Sequence, residues 1–137
     1  MIGDIVFPKV NGVSIAIARK PAEDGDFEWA AYVINDNDFP IVNVLIATKG
    51  YGHKEGEPQQ TSVLRHLIER LQPNEAQLIE RIDPAVFHLV NEFWLSYYLD
   101  KPNSDIYDKK YLFVPDSIVE ANLSRIKHLD LEGVLHV

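Results

Sequence analysis

The sequence predicts an all-β fold, an antiparallel two-sheet β-sandwich with one short C-terminal helix. Aromatic and aliphatic residues alternate with polar ones in Glu92–Leu99 and again in Ile106–Val114, on either side of a loop of Pro, Asn, Ser and Asp residues. This alternation is typical of two antiparallel strands. About seven short strands separated by turn residues make the fold immunoglobulin-like by strand count, although the cysteines of true immunoglobulin domains are absent.

Three strands are predicted in the first half of the chain, at Val13–Arg19, Phe27–Asn35 and Ile41–Lys49. An Asn-Gly turn signal precedes the first strand, and Asp36–Pro40 turns the chain between the second and the third. Both alternating faces of these strands carry apolar residues. Since an antiparallel sheet usually has one solvated face, we expect the outer side to be covered by the C-terminal helix or by a second subunit.

The segment Thr61–Leu71 is ambiguous. Its apolar residues fit a helical stripe, whereas the surrounding strands and the absence of a capping box favour a strand, and we predict a strand. A short strand is predicted next at Ala76–Ile82. It is followed by a helical turn that Asp83 starts, with Pro84 at its first position.

The C-terminal helix is predicted after Pro115. Ser117 and Glu120 have the spacing of a capping box, and apolar residues recur on one side of the expected helix. These residues are Val119, Leu123 and Ile126. The apolar tail Gly133–Val137 is predicted to add an edge strand.

Composition limits the classes of function. The chain has 137 residues, of which 46% are hydrophobic and 25% charged, which is typical of one globular domain. Its net charge of −8 disfavours nucleic acid as a partner, since such a field repels phosphate backbones. The sequence has no cysteine, no basic leader pattern and no apolar run near the ~18 residues of a membrane helix. We therefore expect a cytoplasmic protein without membrane contact.

No motif indicates a catalytic residue, a cofactor or a metal site, and we expect a non-catalytic protein. The five histidines lack metal-ligand spacing, and no serine has a G-x-S-x-G context. The glycine-rich segment Gly50–Gln60 departs from the phosphate-binding pattern G-x-G-x-x-G. It is predicted to be a flexible loop whose tip, with His53 and Lys54, is the candidate ligand-binding loop.

The two aromatic strands allow two registers. If Leu99 pairs with Ile106, four aromatic residues share one face and form a candidate contact surface. These are Trp94, Tyr98, Tyr107 and Tyr111. If the register slips by one residue, each face of one strand joins the other face of its neighbour, because side chains alternate with period two. Tyr107 and Tyr111 then join Phe93 in the core, and Trp94 and Tyr98 remain outside.

Four stretches resemble a group of short, uncharacterised bacterial proteins, over most of the chain from Val13 to Ile118. They are Trp29-x-x-Tyr32-x-x-Asn35, Thr61-Ser62-x-Leu64-Arg65-His66, Asn91–Tyr98 and Ile106–Phe113. Proteins of this group are sometimes labelled phenylalanyl-tRNA synthetase subunit, which implies association with RNA. A class II synthetase core has a large antiparallel sheet with ATP-binding arginine motifs, whereas this chain is short, acidic and without a G-x-G-x-x-R segment.

Three functions are compatible with these observations. The leading prediction is a protein that acts through protein–protein contacts, either as a homodimer or with another protein. The second is a small-molecule binding or enzymatic module that uses the Gly50–Gln60 loop with His66 or His88. The third is an RNA-associated accessory protein, as the synthetase label implies.

Overall fold

The computed structural model describes residues 7–137, which form ten β-strands in two antiparallel sheets. The strands are β1 (Val13–Pro21), β2 (Phe27–Asn35), β3 (Ile41–Lys54), β4 (Glu57–Gln60), β5 (Leu64–Leu71), β6 (Ala76–Arg81), β7 (Val90–Leu99), β8 (Ile106–Phe113), β9 (Ser124–Ile126) and β10 (Leu131–His136). The first sheet has the order β6-β2-β1-β10-β9. The second has the order β4-β3-β7-β8, and β5 also pairs with β3. The prediction of an all-β fold is confirmed.

The strands predicted in the first half of the chain are confirmed, and β3 runs further than predicted, to Lys54. The ambiguous segment Thr61–Leu71 contains β5, a strand as predicted, which pairs with β3 along its whole length. Asp83 begins a 3₁₀ turn at Pro84–Val86, and its carboxylate accepts a hydrogen bond from the Ala85 N–H at 2.9 Å.

The main hydrophobic core is built from residues of both sheets. Alternate side chains of each strand point to this core, as the period of two requires. Each large aliphatic side chain buried there stabilises the fold by about 1.5–3 kcal/mol. Fully buried members from the first sheet are Ile15, Ile17 and Val33, and those from the second are Ile46, Leu95 and Tyr111.

Asn35, at the end of β2, is a buried polar residue that connects the two sheets. Its side-chain N–H groups donate to the carbonyl oxygens of Phe39 at 2.9 Å, Leu71 at 3.3 Å and Gln72 at 3.1 Å. Its Oδ1 accepts hydrogen bonds from the backbone and side chain of Asn37. The amide is thereby fully hydrogen-bonded, which offsets the cost of burying it.

The outer face of the first sheet is covered over part of its area, and we call it the covered face. A second apolar cluster lies there, whereas Leu78 and Leu135 on the same face stay exposed. The buried residues of this cluster are Ala16, Ala18, Ile34 and Ile126. Leu129, in the turn between β9 and β10, packs against it, and His128 of the same turn reaches Asp36 at the end of β2, with 3.1 Å between Nε2 and Oδ1. The predicted cover is therefore present on this sheet, but a turn supplies it rather than a helix.

Gly133 lies opposite Ala18, where β10 and β1 approach closely. A Cβ atom on Gly133 would lie 2.5 Å from the Ile17 carbonyl oxygen and 2.8 Å from the Ala18 Cα. Both are backbone atoms that a side chain cannot displace without moving a strand. Glycine is therefore required here for the close approach of the two strands.

The predicted C-terminal helix is wrong: no α-helix occurs in residues 7–137, and the segment holds only a 3₁₀ turn at Glu120–Asn122 before β9. Both residues of the expected capping box bond elsewhere. The Ser117 hydroxyl donates to the Val114 carbonyl oxygen at 2.7 Å, and Glu120 accepts two hydrogen bonds from the Arg19 guanidinium. Ile118 enters the main core, so the segment is an extended connection from the second sheet to the first.

The apolar tail is also placed differently than predicted. β10 lies between β1 and β9 inside the first sheet, so it is not an edge strand. Its five residue pairs with β1 and three with β9 satisfy the strand on both sides. Within residues 7–137 there is no helix with the length and apolar content that a membrane span requires.

Candidate functional site

The register of β7 and β8 decides where the aromatic residues of these strands lie. Tyr97 is opposite Tyr107, and Tyr98 is opposite Ile106. The register is therefore the slipped one, and the pairing of Leu99 with Ile106 does not occur. Leu99, the last residue of β7, pairs with Ile41 of β3 and donates its backbone N–H to the Ser104 hydroxyl of the connecting loop at 2.9 Å.

The four aromatics of the predicted contact surface do not share a face, which corrects that prediction. Tyr111 is fully buried in the main core. Tyr107 lies on the same inner side and stacks on Tyr97, with the ring centroids 5.0 Å apart and the planes 4° from parallel. Trp94 and Tyr98 lie on the outer side of the sheet and are exposed. The one-residue difference in register separates the two pairs.

The inner tyrosines are held in their neutral forms. The Tyr111 hydroxyl donates to the Val13 carbonyl oxygen at 2.5 Å, which joins the second sheet to the first. Burial raises the pKa of Tyr97 to about 12, with a smaller contribution from Tyr107. Burial likewise raises the pKa of Tyr111 well above the usual value for tyrosine. These tyrosines belong to the core.

The outer face of the second sheet, which we call the open face, carries six exposed apolar side chains with polar and charged residues among them. The apolar members are Leu45, Leu67, Trp94, Tyr98, Ile106 and Leu112. Leu67 of β5 lies opposite Leu45 of β3, which in turn lies opposite Ser96 of β7. Trp94 and Tyr98 flank Ser96 on the same side of β7. A group of exposed apolar residues with polar neighbours is typical of an interaction surface.

Trp94 is fixed at the centre of the open face, although its side chain is 46% exposed. Its indole Nε1–H donates to Asp108 Oδ1 at 2.6 Å. The Lys110 ammonium lies 4.8 Å from the centre of the indole ring, within the range of a cation–π interaction. Both restraints come from β8, so a partner would meet an aromatic side chain that is already ordered.

Glu92, next to Trp94 on the outer side of β7, is a buried carboxylate whose side chain is only 6% exposed. Its Oε1 accepts a hydrogen bond from the Tyr51 hydroxyl at 3.2 Å and lies 3.9 Å from Lys110 Nζ. Its Oε2 lies 3.7 Å from Lys49 Nζ, too far for a hydrogen bond. Burial, followed by the carboxylate itself, raises the pKa of Tyr51.

A recess of about 220 Å³ opens on this face between Trp94 and the edge of the sheet, and we call it the Trp94 pocket. The small side chain of Ala47 lies opposite Trp94 and leaves room for it. Val63 and Arg65 line the side toward the edge. Glu92 contributes the carboxylate. The pocket thus combines an aromatic wall, a buried acid and a cation at its rim.

The glycine-rich segment is not the flexible loop that was predicted. β3 and β4 form a hairpin here, with a two-residue turn at Glu55 and Gly56. Both turn residues have positive φ, of 53° and 80°, as such a turn requires. His53 and Lys54 are exposed beside the turn, as predicted for accessibility. They line neither the Trp94 pocket nor the cleft between the sheets.

A cleft of about 200 Å³ lies between the edges of the two sheets. Beside it, Glu80 Oε1 accepts a hydrogen bond from the Thr48 hydroxyl at 2.6 Å and lies 2.9 Å from His66 Nε2. In a catalytic triad the histidine lies between the acid and the nucleophile, whereas here the carboxylate lies between the other two. The arrangement links β6 to β3 and β5.

Two further histidines, His88 and His136, each contact other groups and do not contact one another. His88 Nε2 lies 2.8 Å from Gln59 Oε1, and His136 packs edge-on against Tyr111 and Phe113. No group of three or more His, Cys, Asp or Glu side chains within residues 7–137 could hold a metal ion.

Comparison with known proteins finds no relative of this chain. No protein-family model matches the chain, and no significant match was found among curated proteins or among solved structures. Function is therefore inferred from the geometry of the chain itself.

Sequence reasoning missed several residues of the open face. Leu45, Leu67 and the pocket residues Ala47, Arg65 and Glu92 come from three strands that are distant in sequence. Alternation within Ile41–Lys49 predicted an outward apolar side but not what would lie beside it. Only the pairing of β5, β3 and β7 brings these residues together.

Proposed function

We propose that this protein acts through protein–protein contact and that it self-associates through the open face. The single observation that carries the proposal is the group of exposed apolar side chains around Trp94, which no described residue covers. Tryptophan is enriched among the residues that dominate binding energy at interfaces. Because Trp94 is already fixed by Asp108 and Lys110, little conformational entropy would be lost on contact.

Charge supports a second copy of the chain as the partner. The rows of the open face around Trp94 contain three cations, Lys49, Arg65 and Lys110, and two anions, Glu92 and Asp108. Their sum is +1, on a chain whose net charge is −8. The acidic surplus therefore lies elsewhere on the molecule. Two copies that meet through this face keep their acidic surfaces apart, which lowers the repulsion between them.

We also propose that the two sheets stack as the β-sandwich predicted from the sequence and that the protein works in the cytoplasm. The core shared by both sheets supports the stacking. In that arrangement the open face is an outer surface of the second sheet and lies opposite the covered face of the first. A contact on the open face then leaves the core undisturbed.

Sedimentation velocity combined with light scattering tests the proposal. The wild-type protein should dimerise as its concentration rises, and Leu67→Lys should weaken the dimer by at least tenfold, since it places a charge on an apolar contact. Leu78→Lys is the matched control, because Leu78 is also an exposed leucine of an edge strand but belongs to the first sheet. A wild-type protein that stays monomeric, or equal effects of the two substitutions, would refute self-association through this face.

A further inference from the structure

We propose that the Trp94 pocket binds a nucleotide, with the base against Trp94, its N–H groups donating to Glu92 and the phosphate paired with Arg65. This inference goes beyond the proposed self-association, and because both use Trp94, a bound nucleotide and a second copy of the chain would compete for this face. It is carried by three features of the pocket: its shape, its buried acid and the charges at its rim.

The pocket offers a flat aromatic wall. Trp94 forms this wall, and Ala47, Thr48 and Val63 line the space together with the charged residues Lys49, Arg65 and Glu92. Its volume of about 220 Å³ is below the roughly 300–1,000 Å³ of pockets for drug-sized ligands, so the base alone would lie inside it. Proteins commonly hold unpaired bases by stacking them on exposed aromatic side chains of a sheet.

Glu92 supplies an acceptor with one oxygen free of protein donors. Its side chain is more than nine-tenths buried, and Oε1 accepts the hydrogen bond from Tyr51. Oε2 receives no hydrogen bond from residues 7–137, with Lys49 Nζ at 3.7 Å, and it is within reach of solvent. A ligand that brings N–H groups can bond to this oxygen in place of water. Guanine offers two adjacent N–H donors on its Watson–Crick edge, so it can satisfy a carboxylate better than the other bases.

The surrounding charges favour a ligand that carries both N–H donors and a negative charge. A simple organic cation is disfavoured because Lys49, Arg65 and Lys110 surround the acid. A simple anion is disfavoured by Glu92 itself. A neutral donor-bearing ring joined to a phosphate avoids both repulsions.

Arg65 is the residue best placed for the phosphate. It lies in the same row as Ala47 and Trp94, at the rim of the pocket, and it has no ion-pair partner among residues 7–137. Its guanidinium can form two parallel hydrogen bonds with a phosphate. The net charge of −8 disfavours long nucleic acids, but it acts weakly on one phosphate next to local cations because salt screens distant charges.

Isothermal titration calorimetry at low salt tests the proposal, with guanosine monophosphate, guanosine and adenosine monophosphate as probes. Guanosine monophosphate should bind most tightly. Trp94→Leu should weaken its binding by about tenfold or more, since it removes the stacking wall. Arg65→Met should remove the advantage of guanosine monophosphate over guanosine, and Glu92→Gln should remove its advantage over adenosine monophosphate. A merely structural role of these residues would not change such ratios.

Two controls make the result specific. Arg125→Met removes an exposed arginine of the first sheet and should leave every titration unchanged. Leu67→Lys should not weaken nucleotide binding, because Leu67 does not line the pocket. By weakening the dimer it should instead free Trp94 at high protein concentration, which separates the nucleotide site from self-association. Circular dichroism verifies that each variant is folded. If Glu92→Gln fails to fold, Trp94→Leu still tests the proposal, because Trp94 is exposed and its substitution should leave the fold intact.

A short single-stranded RNA with one central guanosine distinguishes the source of the base. Tighter binding of the RNA than of guanosine monophosphate would assign the pocket to a base within a strand, and equal binding would assign it to a free nucleotide. The proposal is overturned if neither probe binds at millimolar concentration. It is equally overturned if binding is unaffected by the three pocket substitutions.

Discussion

The outer faces of the two sheets meet different surroundings. On the covered face, the turn that carries Leu129 packs against the cluster of Ala16, Ala18 and Ile34, while Leu78 and Leu135 of the same face stay exposed. On the open face, Leu67 and Trp94 are large, and no described residue lies over them. Both faces are apolar, so an apolar outer face predicts a cover but not which molecule provides it.

Small side chains help to explain how a short turn can cover part of the first sheet. Ala16 and Ala18 leave the sheet surface flat, so Leu129 of the turn packs there together with Leu131. The large side chains of the open face stand away from the sheet and leave a pocket between them. Such a surface can accept a separate molecule, whereas the covered face is filled by the chain itself.

The largest expected effect is at the close approach on the covered face. Gly133→Val should destabilise the protein by about 3 kcal/mol, because its Cβ would collide with backbone atoms of Ile17 and Ala18. Ala47→Val is the matched substitution in a strand of the open face and should cost less than about 0.5 kcal/mol, since the pocket has room for two methyl groups. Urea denaturation measures both. Similar losses would show that the two faces do not differ in packing.

A smaller effect is expected from the cover itself. Leu129→Ala should destabilise the protein by about 1–2 kcal/mol, less than a fully buried leucine, because Leu129 is only partly buried. Leu67→Ala removes the same atoms from the open face, where the side chain is 65% exposed, and should stay within about 0.5 kcal/mol. Thermal unfolding at low protein concentration, where the protein is monomeric, compares them. An equal loss in both would mean that the turn does not act as a cover.

The smallest effect is expected at the ion pair between Arg19 and Glu120, which holds the segment that leads to the Leu129 turn. Hydrogen bonds from Arg19 lower the pKa of Glu120 below its usual value. A carboxylate with a lowered folded-state pKa adds stability above its unfolded pKa and loses it as the pH falls through the folded value. Glu120→Gln should therefore be less stable than wild type at pH near 7 and equally stable in strong acid, about pH 2. Urea midpoints at both pH values test this, and a difference that persists in acid would contradict it.

Alternation of apolar and polar residues was enough to predict most of the strands. For β5 the local periodicity favoured a helix, and the surrounding strands and the absent capping box led to the correct prediction. The helix after Pro115 was predicted from local spacing alone. That spacing fails because Glu120 is drawn to Arg19, 101 residues away, and Ile118 to the core. Contacts between distant residues override a capping pattern that is only local.

The contact surface could be predicted only in part, for a similar reason. Both registers of β7 and β8 satisfy the alternation, so the sequence of this hairpin does not choose between them. The choice depends on Tyr111, whose hydroxyl reaches the Val13 carbonyl oxygen of the first sheet. Trp94 and Tyr98 were predicted as surface residues in either register, and their partners Leu45 and Leu67 depend on strand pairing.

Asn35 has a consequence for how the chain folds. Its amide bonds to Leu71 and Gln72, 36 and 37 residues further along the chain, at the end of a strand in the other sheet. With only the first sheet formed, these acceptors would be absent and the amide would stay hydrated, so its hydrogen bonds would stabilise nothing. The stabilisation from Asn35 is gained only when the two sheets meet, which favours their forming together.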